Sequence, residues 1–420
     1  MPFLCNLMEL MVFLSALRFQ MQETGVCSRI DNTGGGLMKE YIYVENEKKM
    51  KLKFGFFKKD IVFTISLLLA ILSCLFHAPK LEYINFKVLV SLFNLMLVVK
   101  ALEDLKLLDK FAIAILSKCH NSKSVSAILI LLCFFSSMLV TNDVALITFV
   151  PLTLIISKII QTSMLDTIIL ETIAANIGSS LTPMGNPQNL FIFTNYGIRP
   201  IQFFTTILLL VVLGIILLFF LNQRLNSKTL EMELPYIPIN NKKKATVWGI
   251  LFGIISVSIL GVLSYKLAFI IVLGTACILD IKLLKKIDYL LLITFICFFI
   301  FIGNISELKV VHTFANENLK SPTSIFFSSI ILSQLISNVP AAIFLSKFSV
   351  NWQPLLVGVN LGGLGTIVAS LASVISFKLF IKRDPQKSKM YLIRFNFYNF
   401  SILALLTLVY YFTMKNQHFF

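Results

Sequence analysis

Apolar residues in this chain come in blocks of 15 to 22, and that block length constrains the fold more than any other feature. The clearest blocks are 61–76, 84–102, 201–221, 246–263 and 395–412. Each is long enough to cross ~30 Å of hydrocarbon at ~1.5 Å of rise per residue. Inside lipid a segment must satisfy its own backbone N–H and C=O groups, so the blocks are expected to be helices. Composition agrees: 57 % of the 420 residues are hydrophobic and 14 % are charged, against about 25 % charged in soluble domains. The expected class is an all-α polytopic membrane protein.

The formal net charge of +16 raises a nucleic-acid reading, which the placement of the charges excludes. Basic residues gather in five short connectors, 48–59, 106–123, 224–244, 282–286 and 382–394. This is the positive-inside pattern of cytoplasmic loops, and no basic face interleaved with aromatics accompanies it. The seven cysteines lack metal-ligand spacing, and the four histidines are scattered among span ends, connectors and the C-terminus. No catalytic set can be assembled from them and no G-x-x-x-x-G-K-[ST] loop is present, so neither an enzyme nor a direct ATP drive is expected. Residues 1–37 carry an apolar run and a Gly34-Gly35-Gly36 stretch. They read as a poor signal peptide or as sequence upstream of a true start at Met38 or Met50.

Placing the basic connectors inside gives spans at 61–76, 84–101, 201–221, 245–262, 267–280, 288–303 and 395–413, with 102–123 as a cytoplasmic connector. The N-terminus lies inside and the C-terminus outside. Of the 37 Lys and Arg residues, the outside then carries only Lys80, Lys87, Arg199, Lys266, Lys309, Lys320, Lys347 and Lys415. Two regions resist a simple crossing. Stretches 124–140 and 144–160 are separated only by Thr141-Asn142-Asp143, and 323–348 has Ser337-Asn338 at its centre. Hydropathy permits two full crossings or a re-entrant hairpin. Stretches 165–193 and 353–380 break at 182–189 and at Gly362-Gly363-Leu364-Gly365-Thr366. Irregular backbone at membrane depth is tolerated only where protein buries it or where it lines a wet cavity.

These features recur in order. Ser137, Thr141, Asn142 and Ala145 align with Ser333, Ser337, Asn338 and Ala341. Asn176, Gly178 and Thr182 align with Asn360, Gly362 and Thr366, and Leu105-Lys106 aligns with Leu308-Lys309. An odd number of crossings separates the copies, so the repeats are expected to be inverted, which favours hairpins at both tips. The expected layout is a cytoplasmic extension at 1–60, repeat 1 at 61–200, and connecting helices with a basic loop at 201–262. Repeat 2 follows at 263–381, and the last span and C-terminus occupy 382–420. Inverted repeats with broken helices characterise secondary transporters, whose sites lie at the midplane between the repeats. Half-helix N-termini there can hold an anion, and freed carbonyls, hydroxyls and amides suit a hard cation such as Na⁺. The same small polar residues also read as interhelical glue.

The stretches 141–145 with Pro151, 182–189, 333–341 and 360–366 resemble the citrate-transporter-like permeases of the ion-transporter superfamily. That superfamily includes divalent-anion/sodium symporters, arsenite permeases and sodium/proton antiporters. The resemblance spans roughly residues 60 to 413. It implies a homodimer in a cell's inner membrane, an elevator-type movement of a transport domain, and no cofactor beyond Na⁺ or H⁺ as coupling ion. The implied cargo is a small anion such as citrate or a dicarboxylate, with arsenite efflux or Na⁺/H⁺ antiport as the alternative. Carried over by position, the substrate would meet Thr141, Asn142, Asp143, Asn186, Ser337, Asn338 and Thr366. Sodium would be held by Ser137, Thr141, Asn142 and the backbone at Gly185, and by Ser333, Asn338 and the backbone at Ala369. Two departures stand out: Asp143 and Val339 replace the threonine of the symporter tips. An intramembrane carboxylate suggests function, so Asp143 reads as a proton or Na⁺ ligand, or as a cap on the following helix. Glu171, on the helix leading to the first break, reads as a second proton carrier or as a polar contact near the cytoplasmic end.

Overall fold

The computed structural model describes residues 61–229 and 241–415. The apolar run and glycines of 1–37, the basic stretch 48–59 and residues 230–240 of the basic 224–244 connector lie outside them. Seventeen α-helices account for most of the described chain. They are α1 (Ile61–Ser73), α2 (Phe86–Asp104), α3 (Leu107–Leu116), α4 (Ser122–Val140), α5 (Asn142–Ile159), α6 (Leu165–Ser179), α7 (Pro187–Asn195), α8 (Pro200–Gln223) and α9 (Lys242–Ile259). They continue with α10 (Tyr265–Leu279), α11 (Tyr289–Ser306), α12 (Lys309–Asn318), α13 (Pro322–Ile336), α14 (Asn338–Ser346), α15 (Trp352–Gly362), α16 (Leu371–Arg383) and α17 (Ser388–Lys415).

Among the described residues five helices are long and apolar enough to cross a membrane: α4, α5, α8, α11 and the stretch Pro385–Lys415 that contains α17. Their outer faces carry bare apolar side chains, such as Phe219 and Phe220 on α8 and Phe397 and Leu408 on α17. In water such faces would associate, and in lipid they meet their own kind. The expected blocks therefore form as helices. The connectors are less empty than expected: the chain at 102–123 holds α3, and the stretch between α11 and α13 holds α12. Both are too short to span, so a search for spans passes over them.

Both predicted interruptions are present. Between α6 and α7 the chain is irregular over 180–186, and between α15 and α16 over 363–370, apart from one short 3₁₀ turn at Ile367–Ala369. Pro187 opens α7, where its missing N–H costs nothing. Each predicted tip is a one-residue link, Thr141 between α4 and α5 and Ser337 between α13 and α14. The two links share an unusual backbone conformation, with φ 82° and ψ 152° at Thr141 and φ 76° and ψ 155° at Ser337. This region is normally reserved for glycine and costs a non-glycine residue of order 1–3 kcal/mol. Its appearance twice, at the aligned positions, is independent of the sequence match.

Packing divides the helices into two groups. Helices α1, α2, α9, α10 and α11 pack chiefly on one another, α1 on α11 and α2 on α9 and α10. In the second group α4 pairs with α6 and α5, and α13 pairs with α15 and α14. Each second half-helix then crosses over: α16 packs on α5, and α7 packs on α14. Glycine permits the tightest of these approaches. A Cβ on Gly178 would strike the Phe134 carbonyl and lie 2.7 Å from Ser137 Oγ, while one on Gly362 would lie 2.5 Å from Ser333 Oγ.

Candidate functional site

Because the second half-helices cross over, four helix N-termini converge. Asn142 and Asp143 of α5, Pro187 and Gln188 of α7, Asn338 and Val339 of α14, and Ser370 and Leu371 at the start of α16 line one cavity of about 50 Å³. The opposite wall is mainly apolar and comes from the other helix group: Val62 of α1 and Leu291, Thr294, Phe295 and Phe298 of α11. Four partial positive ends facing one space make an anion-attracting field without a lysine or arginine in the lining. The volume suits an ion or a few waters, so a dicarboxylate requires the two walls to separate.

The breaks are braced by a polar network that obeys the repeat. Asn176 accepts a hydrogen bond from the Ser370 hydroxyl at 2.9 Å and donates to Ser373 Oγ at 3.3 Å. Asn360 accepts from the Asn186 amide at 3.1 Å and donates to Asn189 Oδ1 at 2.7 Å. Thus the asparagine before each break holds the cap of the other half's second half-helix and the residue three further on. The threonines within the breaks also match: Thr182 donates to the Met138 carbonyl and Thr366 to that of Gln334. Gln334 adds its amide, which donates to the Gly362 and Leu364 carbonyls at 2.8 and 2.9 Å. The two breaks thereby hold each other in place, and each hairpin's first helix is tied to the break beside it.

Against this frame the expected site residues sort by position. Asn142, Asp143, Ser337 and Asn338 line the cavity together. Thr141 is the strained link beside them and is half-buried. Asn186 is 2 % exposed; it caps α7 by accepting from the Asn189 N–H and otherwise serves the network. Thr366 donates its backbone N–H to the Gln334 side-chain oxygen at 2.8 Å and does not line the cavity. The backbone positions meet the tips directly: the Asn142 N–H donates to the Gly185 carbonyl at 3.1 Å, and the Ser337 hydroxyl donates to the Ala369 carbonyl at 3.3 Å. Ser137 and Ser333 are buried beneath Gly178 and Gly362 and donate to the Phe134 and Ser329 carbonyls of their own helices. Asp143 does not cap α5; the Asn142 side chain accepts from the Asp143 N–H at 3.0 Å. Among the described residues no group of three His, Cys, Asp or Glu side chains could hold a metal ion.

Sequence reading missed Gln188, Ser370 and Thr294 in the lining and the bracing role of Asn176 and Asn360. Ser370 was reachable, since it aligns with Asn186 once the repeat is carried five residues past Gly365. Thr294 lies on α11, outside every recurring motif.

Comparison with known proteins bears on this geometry. The family profile described as "Citrate transporter" matches residues 56–375. The chain is 36 % identical over 320 residues to an "Uncharacterized transporter MJ0456" of Methanocaldococcus jannaschii, covering 75 % of this chain and 87 % of the relative. It is 27 % identical over 304 residues to the inner membrane protein YbiR of Escherichia coli, covering 70 % and 80 %. A shorter match, 29 % identical over 137 residues, covers 32 % of this chain and 24 % of a transporter named arsB in Dictyostelium discoideum. The chain belongs to the citrate transporter family. It is a multi-pass membrane permease and not an enzyme.

Proposed function

We propose that this permease is a secondary active transporter for a small carboxylate anion, citrate or a dicarboxylate, coupled to Na⁺ or H⁺. The observation that carries the reading is the convergence of four helix N-termini, with Asn142 and Asn338 between them, on a cavity with no fixed cation. A carboxylate entering there gains the helix ends and two amides, while sodium gains the Gly185 and Ala369 carbonyls and the tip hydroxyls. The matched φ and ψ at Thr141 and Ser337 and the recurring helix order support inverted repeats with re-entrant hairpins. The two-group packing supports an elevator: the polar half of the cavity belongs wholly to one group and the largely apolar wall to the other. Sliding the second group along that wall would carry the anion without opening a continuous pore. A homodimer built on the α1–α2–α9–α10–α11 group would give the moving part a fixed frame.

Asp143 supports a second reading. A carboxylate in the cavity lining suits cation handling, as in Na⁺/H⁺ antiport, and arsenite efflux stands with it through the resemblance of the Asn142-Asp143 pair to the arsenite permeases.

Ligand-dependent thermal unfolding of the full chain in detergent separates the readings. A ligand that binds only the folded state stabilises it by about 2.7 kcal/mol at one hundred times its Kd. Citrate or succinate is expected to raise the melting temperature. A shift with arsenite alone, or with Na⁺ alone and no effect of any anion, would favour the second reading.

A further inference from the structure

Glu171 lies outside the cavity, in the middle of α6, and is 0 % exposed. One of its carboxyl oxygens meets the Thr153 hydroxyl of α5. The other, Oε2, has no hydrogen-bond partner among the described residues. Thr153 also lies 3.1 Å from the Phe149 carbonyl. A threonine hydroxyl has a single proton to give, and here two acceptors compete for it. The count closes when Glu171 itself carries a proton and donates it to Thr153 Oγ1, leaving the Thr153 proton for Phe149.

No fixed charge on the packed helices replaces that proton. The titratable groups near enough to sense Glu171 are the Cys133 thiol of α4 and the Tyr391 phenol of α17. Tyr391 is engaged with Ser376 of α16 at 3.1 Å, and Ser376 with Thr172 at 2.7 Å. Helices α8 and α15 carry no charged residue. Lys158 of α5, Lys378, Lys382 and Arg383 of α16, and Lys389 of α17 are exposed, facing away from the packed interior. Arg394 is paired with Asp166 at 2.6 Å in the first turn of α6. Lys123 of α4 donates to the Gln223 carbonyl at 2.7 Å. Asp143 of α5 lines the cavity. An unpaired carboxylate in such a place is unfavourable, so the group must hold a proton or take up a cation when it loses one.

We propose that Glu171 is a proton-binding site, distinct from the tip cavity, seated between α4, α5 and α6 beneath the first hairpin. Loading is the addition of one proton to the carboxylate, and unloading is its release with no change in any other bond. Helix α6 ends at the first break, so a charge arising at Glu171 acts on the same helix that carries Asn176, which braces the breaks and accepts from the tip residue Asn142. The link to transport rests on the carrier reading above; the protonation itself does not.

The test uses the full chain in lipid and follows the infrared C=O stretch of protonated carboxyl groups as pH is raised. We expect a band at neutral pH that declines with rising pH, is missing in Glu171→Gln and returns shifted in Glu171→Asp. Its absence from the wild-type protein at neutral pH, or a band that never titrates while the protein stays folded, overturns the proposal. In vesicles, Glu171→Gln is expected to lose at least tenfold of proton-driven uptake while retaining exchange of internal for external substrate. Proton-driven uptake within twofold of wild type overturns the link to coupling. A chain that transports no carboxylate still gives the infrared result, so the two failures are distinguishable.

Discussion

Asn142→Ala and Asn338→Ala are each expected to raise the substrate concentration for half-maximal uptake by about 10- to 100-fold. Both side chains line the cavity between the four helix ends. Each is 4 % exposed, so nothing in bulk water competes strongly for its amide. A hydrogen bond to a charged group is worth about 1.5–3 kcal/mol, and 1.4 kcal/mol is tenfold in affinity. Asn142 carries an added structural duty, since its amide donates to Asn176 Oδ1 at 3.2 Å. Asn142→Ala is therefore expected to lower the melting temperature as well. Comparing uptake at equal amounts of folded protein separates the two effects. Asn316→Ala, at an exposed position on α12, serves as the unaffected reference. Uptake unchanged in both tip variants would show that the substrate binds elsewhere.

Gly178→Leu and Gly362→Leu are expected to be the most damaging single changes in the second helix group. Each glycine marks the closest approach of a broken helix to its hairpin, α6 on α4 and α15 on α13. At Gly178 a new Cβ meets backbone, the Phe134 carbonyl, which cannot swing aside. At Gly362 it meets Ser333 at Oγ and Cβ, 2.5 and 2.6 Å away. Overpacking of this kind typically costs about 1–3 kcal/mol even for small insertions. Leucine adds a whole side chain, so the helices must part and the network through Asn176 or Asn360 must break with them. Little folded protein is expected, as read by a monodisperse peak in size-exclusion chromatography. Gly178→Ala should fold with a lowered melting temperature and weakened uptake. Gly249→Ala on α9, where an added Cβ meets nothing within 4 Å, should match wild type. A wild-type melting temperature for Gly178→Ala would contradict the close packing described.

Much of this architecture was legible in the residues because lipid leaves so few choices. A block such as 201–221 can only be a helix in hydrocarbon, and α8 spans Pro200–Gln223. Pro183, Gly185 and Pro187 stop a helix locally, whatever surrounds them. The tips were legible because hydroxyl-Asn pairs interrupt apolar runs at aligned positions. Three features were not. Helices α3 and α12 are short and cross nothing, so hydropathy gives them no signal. The hydrogen bond from Asn186 to Asn360 joins residues 174 apart in sequence, and only the crossing of α7 onto α14 brings them together. The wall of Val62, Leu291, Phe295 and Phe298 consists of ordinary apolar residues whose role comes from what they face. Ser137 and Ser333 lie beneath a glycine each, a close packing that their aligned spacing does not reveal.

The central claim is that a carboxylate bound between the tips moves across the membrane at the expense of an ion gradient. Uptake of labelled citrate and succinate into proteoliposomes tests it, with an inward Na⁺ gradient, an inward proton gradient or neither. The account predicts accumulation of at least one carboxylate above its outside concentration under one of the gradients, and none without. Folded protein that accumulates neither carboxylate under any gradient would contradict it.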